Sequence, residues 1–321
     1  MSLKHQARHV LVGGRDRSLK WLHRLLERRQ LPQMVYCLEE DEHEVEKFSP
    51  EILRFCDEHR IPCRLRRRLK PQDEAEIVRL EPDLLVVLGW RTLISERVLS
   101  APRLGAVGVH ESLLPVYRGF APVNWAVING ETETGATLFF LTATGVDNGD
   151  IVDQVAIPIS ADDTAYDVYQ RTSRVSIELL DRHFDALLAG DCERRAQDER
   201  LATYTCARTP DDGLIDWMLC TRAIHNLVRG LAYPYPGALT WFNGNRYRIW
   251  SGQPVQPTRP YVGRIPGRIL ACSPGRGVEV LTGDGIYLLQ SAGPDGHSPV
   301  AAETLFKSIR ASFKPGPEKG D

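Results

Sequence analysis

The hydrophobic positions of this chain change their period along its length, and that change sets the first expectations. In the first half, short uninterrupted apolar runs alternate with segments whose apolar residues recur every three or four positions. His9-Val10-Leu11-Val12-Gly13-Gly14 reads as a buried strand ending in a glycine turn. Residues 18–30 follow with Leu19, Leu22, Leu25 and Leu26 at helical spacing. Met34 to Leu38 reads as a second strand. Ser49 followed by Pro50 predicts an N-cap and a first helical position, with the helix running to about His59. Ile61-Pro62-Cys63 opens a short strand, and residues 71–80 predict another helix. Leu84-Leu85-Val86-Val87-Leu88 is apolar throughout, as a strand of a parallel sheet covered on both faces would be. Strand character returns over 137–141 and 152–159, and residues 164–188 form a long amphipathic pattern ending at Gly190. This alternation predicts a doubly wound α/β domain with a mostly parallel sheet over residues 1–190.

After Asp191 the pattern shifts to short strands between Gly and Pro turns, at 238–242, 246–250, 267–271, 278–282 and 285–290. Asn243-Gly244-Asn245 is a hairpin signal. A small C-terminal β-barrel is expected over 232–313, reached by a linker with a helix over 191–231. The tail 314–321, rich in Pro, Gly and Lys, is expected to be disordered.

Composition narrows the class. A chain of 321 residues has room for two domains, and a net charge of -2 gives no global basic field for nucleic acid. The seven cysteines, at 37, 56, 63, 192, 206, 220 and 272, form no C-x-x-C pair. That argues against a zinc or redox motif and fits a reducing compartment. No apolar run approaches the ~20 residues of a membrane helix, and the first residues lack the apolar core of a signal peptide. A cytoplasmic protein without a membrane partner is expected. Gly13-Gly14 lacks the rest of a dinucleotide fingerprint.

The candidate chemistry lies in residues 105–150. A lone histidine at a strand end is usually a packed residue, and a lone Asp-x-Gly-Asp is usually a turn. Here His110, Ser112-Leu113-Leu114-Pro115, Tyr117-Arg118-Gly119 and Asp147-Asn148-Gly149-Asp150 occur together. The block resembles the catalytic core of the folate-dependent formyltransferases. These carry Asn-x-His, then Ser-Leu-Leu-Pro-x-Tyr/Trp-Arg-Gly, then a Leu-Asp-x-Gly-Asp loop. Asn129-Gly130-Glu131-Thr132-Glu133-Thr134-Gly135, Ile215-Asp216-Trp217, Leu227-Val228-Arg229-Gly230-Leu231 and Tyr235-Pro236-Gly237-Ala238 extend the resemblance over most of the chain from about Asp83. One position departs from it: Gly108 stands where the family usually has asparagine.

The resemblance implies transfer of a formyl group from 10-formyltetrahydrofolate to an amine, with no metal. His110 would take the amine proton, and Asp147 would hold the ring in one tautomer. The folate cosubstrate is expected at Gly89, Trp90, Arg91, Ile94, Ser112, Leu113, Leu114, Pro115, Thr144, Gly145 and Val146, the loop at 89–91 holding the pterin by its main chain. For Trp90 itself, packing on a helix is an equal alternative. Absence of the asparagine side chain at Gly108 leaves three readings open. Another donor serves the oxyanion (protonated His110, a backbone N–H, Asn124 or Asn148), the acceptor needs less help, or the site binds folate and turns over poorly.

The acceptor is read from charge and from one segment. The stretch Glu39-Glu40-Asp41-Glu42-His43-Glu44 is acidic and short, where the branch acting on methionyl-tRNA carries a basic insertion. It would repel a phosphate backbone. From Cys206 onward, 13 Lys/Arg face 9 Asp/Glu without forming a stripe. The run Arg64-Leu65-Arg66-Arg67-Arg68 reads first as a solvated face. Residues 121–130 resemble the version found in sugar N-formyltransferases. A small amine is therefore expected, first a nucleotide-linked amino sugar, then a hydroxyornithine-type amine, with tRNA as runner-up partner. A 10-formyltetrahydrofolate hydrolase and an impaired folate-binding protein are the readings from other classes. A homodimer through the barrel is one arrangement the resemblance allows.

Overall fold

The computed structural model describes residues 7–42, 44–257 and 259–316. It divides into two compact units. The first comprises the chain up to Pro122 with Thr134–Ile157 and Gln170–Thr205, and the second comprises Val123–Glu133, Pro158–Tyr169 and the chain from Cys206.

In the first unit, strands β1 (His9–Gly13), β2 (Met34–Leu38), β3 (Cys63–Arg66), β4 (Leu84–Leu88) and β5 (Ala106–His110) pair in parallel in the order β3-β2-β1-β4-β5. The two-residue β6 (Arg118–Gly119) stands apart. Strand β7 (Glu133–Phe140) adds antiparallel to β5, and β8 (Ile151–Pro158) lies beyond it. Helices α1 (Arg15–Glu27), α2 (Ser49–Glu58), α3 (Pro71–Leu80) and α4 (Glu96–Leu99) connect the parallel strands. Helix α5 (Pro122–Asn129) falls in the second unit from Val123 on, α6 (Ala165–Ala189) belongs to the first from Gln170 on, and β9 (Tyr204–Thr205) pairs with β6.

The continuous apolar runs are explained by cover on both faces. Leu11, Val86 and Val107 share a core cluster with Trp21, Leu22 and Leu25 of α1 and Phe184 of α6. Their strand neighbours Val10, Val12, Leu85 and Ala106 join Ile77 of α3 and Val98 of α4 in another. The strand order reverses between β1 and β4, the switch point at which such sheets open a ligand crevice at the carboxyl ends of the strands.

Two helix starts differ from expectation. Helix α1 begins at Arg15, three residues before the expected start, and within it the Ser18 hydroxyl donates to Leu88 O at 3.1 Å and ties the helix to the end of β4. Ser49 lies inside α2, whose N-cap is Phe48. The acceptor at that terminus is Glu40, which receives the Phe48 and Ser49 N–H groups at 2.8 and 3.0 Å. A carboxylate answers both the orphan donors and the positive helix end.

The second unit is an antiparallel sheet with α7 (Thr221–Gly230) against it. Its strands are β10 (Ala238–Phe242), β11 (Asn245–Val255), β12 (Ile269–Ser273), β13 (Gly277–Leu281), β14 (Ile286–Pro294), β15 (Val300–Ala301) and β16 (Phe313–Lys314), with α8 (Ala302–Leu305) before the last. The order β12-β13-β14-β11-β10-β16 curls until an Arg268–Ser312 bridge joins its two ends, with Phe313 N–H on Gly267 O at 2.8 Å. Asn243 and Gly244 both take positive φ between the paired Phe242 and Asn245, the tight hairpin expected there. Lys314, expected to be disordered, pairs with Trp241. Phe313 beside it is buried against Trp217, Phe242 and Phe306, which holds this end of the chain in the sheet. Residues 317–321 of the expected tail lie outside the described residues. Among the described residues no helix is long and apolar enough to cross a membrane.

Candidate active site

The site stands at the carboxyl end of β5. His110 is its last residue, with a side chain about 10% exposed. Its Nε2 lies 2.8 Å from Tyr117 O. A carbonyl only accepts, so the proton of that contact belongs to Nε2. Nδ1 lies 3.5 Å from Asp147 Oδ2, beyond a good hydrogen bond. Both ring nitrogens therefore face acceptors. A neutral ring can donate to one, and a protonated ring to both.

Asp147 is held by two neighbours, Gly119 and Gln197. Its φ of 51° is left-handed, uncommon for a residue with a Cβ. Its Oδ2 accepts the Gly119 N–H at 2.8 Å. Gln197 Nε2 donates to the carbonyls of Asp147 and Gly149 at 2.8 and 2.7 Å. Gly119 itself has φ 104°, and a Cβ there would meet Thr205 O at 2.7 Å, so β6 and β9 approach this closely only because residue 119 is glycine.

The Ser112–Pro115 segment is folded by its own polar contacts. Ser112 Oγ donates to Val116 O at 2.6 Å, and Thr137 Oγ1 donates to Ser112 O at 2.6 Å while accepting from Leu114 N at 3.1 Å. Gln154 Nε2 reaches Leu114 O at 2.8 Å, and the Leu114–Pro115 peptide is cis. Leu114 is buried with Phe139 and Ile151, and Leu113 is half-buried. Thr144, Gly145 and Val146 form an exposed loop, pinned where Asn148 accepts from Thr142 at 2.7 Å and donates to Thr144 Oγ1 at 3.2 Å.

Gly108 lies within β5, paired to Val87 on one side and Phe139 on the other. A Cβ there would stand 3.2 Å from Val87 O and 3.6 Å from both methyls of Leu141. Of the two amides that could replace an asparagine at 108, Asn124 is buried in the second unit and donates to Gly230 O at 2.9 Å. Asn148 is the one beside Asp147 in the chain.

The other expected folate residues are placed unevenly. Gly89, with φ 66°, follows β4 directly, and a Cβ there would lie 2.9 Å from Gly14 O. Trp90 and Ile94 pack against the Val10 and Tyr36 cluster. Arg91 binds Asp41 at 3.0 Å and also Glu44, which Arg15 reaches at 3.1 Å. Burial pushes the Glu44 carboxyl up, but Arg91, the Asp41 N–H and Arg15 outweigh it and hold it below its ordinary value. The acidic stretch is thus bound back onto the protein, though His43 lies outside the described residues. Three of the four arginines of the basic run are paired as well. Arg64 grips Glu76 with two bonds of 2.7 Å, Arg66 grips Asp73, and Arg67 lies 3.5 Å from Glu39. The Arg64 pairing brings the Glu76 carboxyl down to about 2.

Sequence reasoning missed the strap 195–205, which it took as linker. Thr203 receives the Tyr117 N–H on Oγ1 and the Arg118 N–H on its carbonyl, each at 2.9 Å. The Arg118 side chain is fully buried and contacts Gln197, Glu199 and Tyr204. Nothing in the spacing of Gln197 marks it, since it meets Asp147 fifty residues away.

Residues 10–183 match the formyl transferase family, and residues 208–310 match the formyl transferase C-terminal domain. The chain belongs to the formyltransferase family. It is 35% identical to the methionyl-tRNA formyltransferase of Geobacter sulfurreducens over 274 residues, 85% of this chain and 83% of the relative. It is 32% identical to that of Geobacter metallireducens over 310 residues, 96% of each. Solved formyltransferases share the fold. WlaRD, a sugar 3N-formyl transferase crystallised with dTDP and 5-N-formyl-THF, superposes with a TM-score of 0.65 at 18% identity over 91% of this chain and 99% of that one. The N-formyltransferase of Helicobacter canadensis with folinic acid and dTDP-3-aminofucose gives 0.66 at 18% identity over 88% and 98%. As a formyltransferase, the chain is a one-carbon transfer enzyme. Among its described residues no group of three or more His, Cys, Asp or Glu side chains is placed to hold a metal.

Proposed function

We propose that this formyltransferase uses His110 and Asp147 to move the formyl group of 10-formyltetrahydrofolate onto the amine of a small acceptor, first a nucleotide-linked amino sugar. The observation that carries the reaction is the His110–Asp147 pair at the end of β5, with Asp147 oriented by the Gly119 N–H. The amine nitrogen bonds to the formyl carbon, and its proton passes to His110. As the tetrahedral intermediate collapses, the bond to the folate nitrogen breaks and that nitrogen takes the proton. For this the acceptor must draw Nε2 off Tyr117 O, leaving Asp147 to hold the proton on Nδ1. The resulting imidazolium and the Asn148 amide serve the oxyanion in place of a side chain at 108. Folate is assigned to Gly89 and its loop, to Ser112–Pro115 and to Thr144–Val146.

The small acceptor is supported by charge. Arg64, Arg66, Arg67 and Arg91 are all engaged by carboxylates of the same chain, leaving none of them as a bare phosphate contact. Two neighbours in fold were crystallised with dTDP or a dTDP-linked amino sugar. A second reading, initiator methionyl-tRNA, is favoured by the 32–35% identity to methionyl-tRNA formyltransferases. The test is tetrahydrofolate release, followed by absorbance, with no acceptor, with a pool of nucleotide-linked 3- and 4-amino sugars, or with methionyl initiator tRNA. Release only with sugars supports the first reading. Release only with tRNA replaces it with the second, and release without acceptor makes the enzyme a hydrolase. A cytoplasmic location accords with the reducing conditions expected from its cysteines.

A further inference from the structure

We infer that Gln197 is a positioning residue for the acid–base pair: it sets Asp147 against His110 and is itself fixed by Arg118. This rests on the reading in which His110 and Asp147 perform the chemistry.

The amide of Gln197 is fully used. Its Oε1 accepts from Arg118 Nε at 3.1 Å and Nη2 at 2.7 Å, and its Nε2 donates to Asp147 O at 2.8 Å and Gly149 O at 2.7 Å. No ambiguity of orientation survives this arrangement. A guanidinium only donates and carbonyls only accept, so the oxygen must face Arg118 and the nitrogen must face the loop. Arg118 is in turn locked. Its side chain is buried, and Glu199 holds Nη1 and Nη2 at 2.9 and 2.7 Å, while Tyr204 OH sits 2.9 Å from Nη1.

The loop needs such a clamp. Asp147 sits at φ 51°, a conformation that costs a residue with a Cβ of order 1 kcal/mol or more and persists only when its surroundings over-determine it. Gln197 grips the carbonyls on both sides of Asn148, and Gly119 N–H takes the carboxylate. Arg118 and Gly119 are consecutive residues of β6. The side chain of one fixes Gln197, and the main chain of the next fixes Asp147. One two-residue strand therefore places the Asp147 carboxylate and, through Gln197, its backbone. The His110–Asp147 separation is the quantity this clamp sets.

The substitution Gln197→Met keeps length and neutrality and removes all four bonds, with Gln197→Ala as a second variant should methionine fail to fold. The readout is the His110 ring titration by side-chain nitrogen NMR, assigned with His110→Gln, in the wild type, Q197M, D147N and the double variant D147N/Q197M. Turnover is measured alongside, with the acceptor pool that supports tetrahydrofolate release. Q197M is expected to move the His110 midpoint in the same direction as D147N and by less. The double variant should titrate like D147N alone, because the effect of Gln197 passes through Asp147. Turnover should drop by up to roughly a hundred-fold through kcat, with KM for the folate little changed. An unchanged midpoint in Q197M, or shifts that add in the double variant, would overturn the inference. Full activity in D147N would instead overturn the underlying assignment of Asp147, whatever Q197M does.

Discussion

Oδ2 of Asp147 lies 3.5 Å from His110 Nδ1 and 2.8 Å from the Gly119 N–H, so one carboxylate oxygen is shared between the ring and the main chain. If that oxygen holds the ring for proton transfer, His110→Ala should cut tetrahydrofolate formation by about 10²–10⁴-fold, the usual contribution of a positioned acid–base group. The melting temperature should stay close to wild type, since His110 ends a strand whose pairing is main-chain. Near-normal turnover in H110A, with the fold intact, would remove His110 from the chemistry.

Gly108→Asn should not improve the enzyme. Its Cβ would stand 3.2 Å from Val87 O, a main-chain atom of the neighbouring strand, with Leu141 at 3.6 Å on the other flank. Overpacking of this kind costs about 1–3 kcal/mol. We expect a lower melting temperature and no gain in rate. A faster enzyme would show that glycine is a lesion at this position. Asn148→Ala, by contrast, should slow turnover by up to about 10²–10³-fold if its amide serves the oxyanion. Wild-type kinetics in N148A would eliminate that donor.

Salt separates the two acceptor readings. A protein using six to ten phosphate contacts loses roughly 10³–10⁵ in affinity between about 50 and 200 mM salt. With Arg64, Arg66 and Arg67 already paired and only Arg68 of the basic run lacking a carboxylate among the described residues, KM for the acceptor should change by less than about ten-fold over that range. A steep log–log dependence would point to a nucleic-acid acceptor.

Stability should depend on pH through His9. This residue is buried in β1, edge-on to Phe184 at 5.2 Å, and its Nε2 has no hydrogen-bond partner among the described residues. Burial lowers its pKa from 6.5 to about 4. The unfolded chain therefore binds a proton that the folded one refuses between those values. Stability is full above about pH 6.5, falls as pH drops towards 4, and the loss attributable to His9 reaches roughly 3 kcal/mol. Melting curves of wild type and His9→Phe across pH 7 to 4.5 should diverge, with the variant losing less. Parallel curves would mean that His9 is not the proton-binding group.

Much of this architecture was legible because local pattern and global fold agree. The runs at 34–38, 84–88 and 238–242 are strands at those bounds, and Asn243-Gly244 makes the hairpin its chemistry demands. The His110 to Asp150 block could be read because it is contiguous and its residue types are distinctive. What stayed hidden was long-range. Glu40, eight residues before Phe48, accepts the N–H groups at the start of a helix that Ser49 was expected to cap. Gln197 lies in a segment with no hydrophobic period of its own and reaches Asp147 past the whole of β8 and α6. The pairing of Arg91 with Asp41 and Glu44 was equally out of reach, since it joins residues 50 and 47 positions apart.

The most direct test follows the formyl carbon itself. The enzyme would be given 10-formyltetrahydrofolate labelled with carbon-13 in the formyl group, with a nucleotide-linked amino sugar pool, and the products read by mass spectrometry for wild type and H110A. Labelled N-formyl sugar from wild type, and almost none from H110A, is the predicted result. Label appearing only as free formate, or equal labelled sugar from both proteins, would contradict the account.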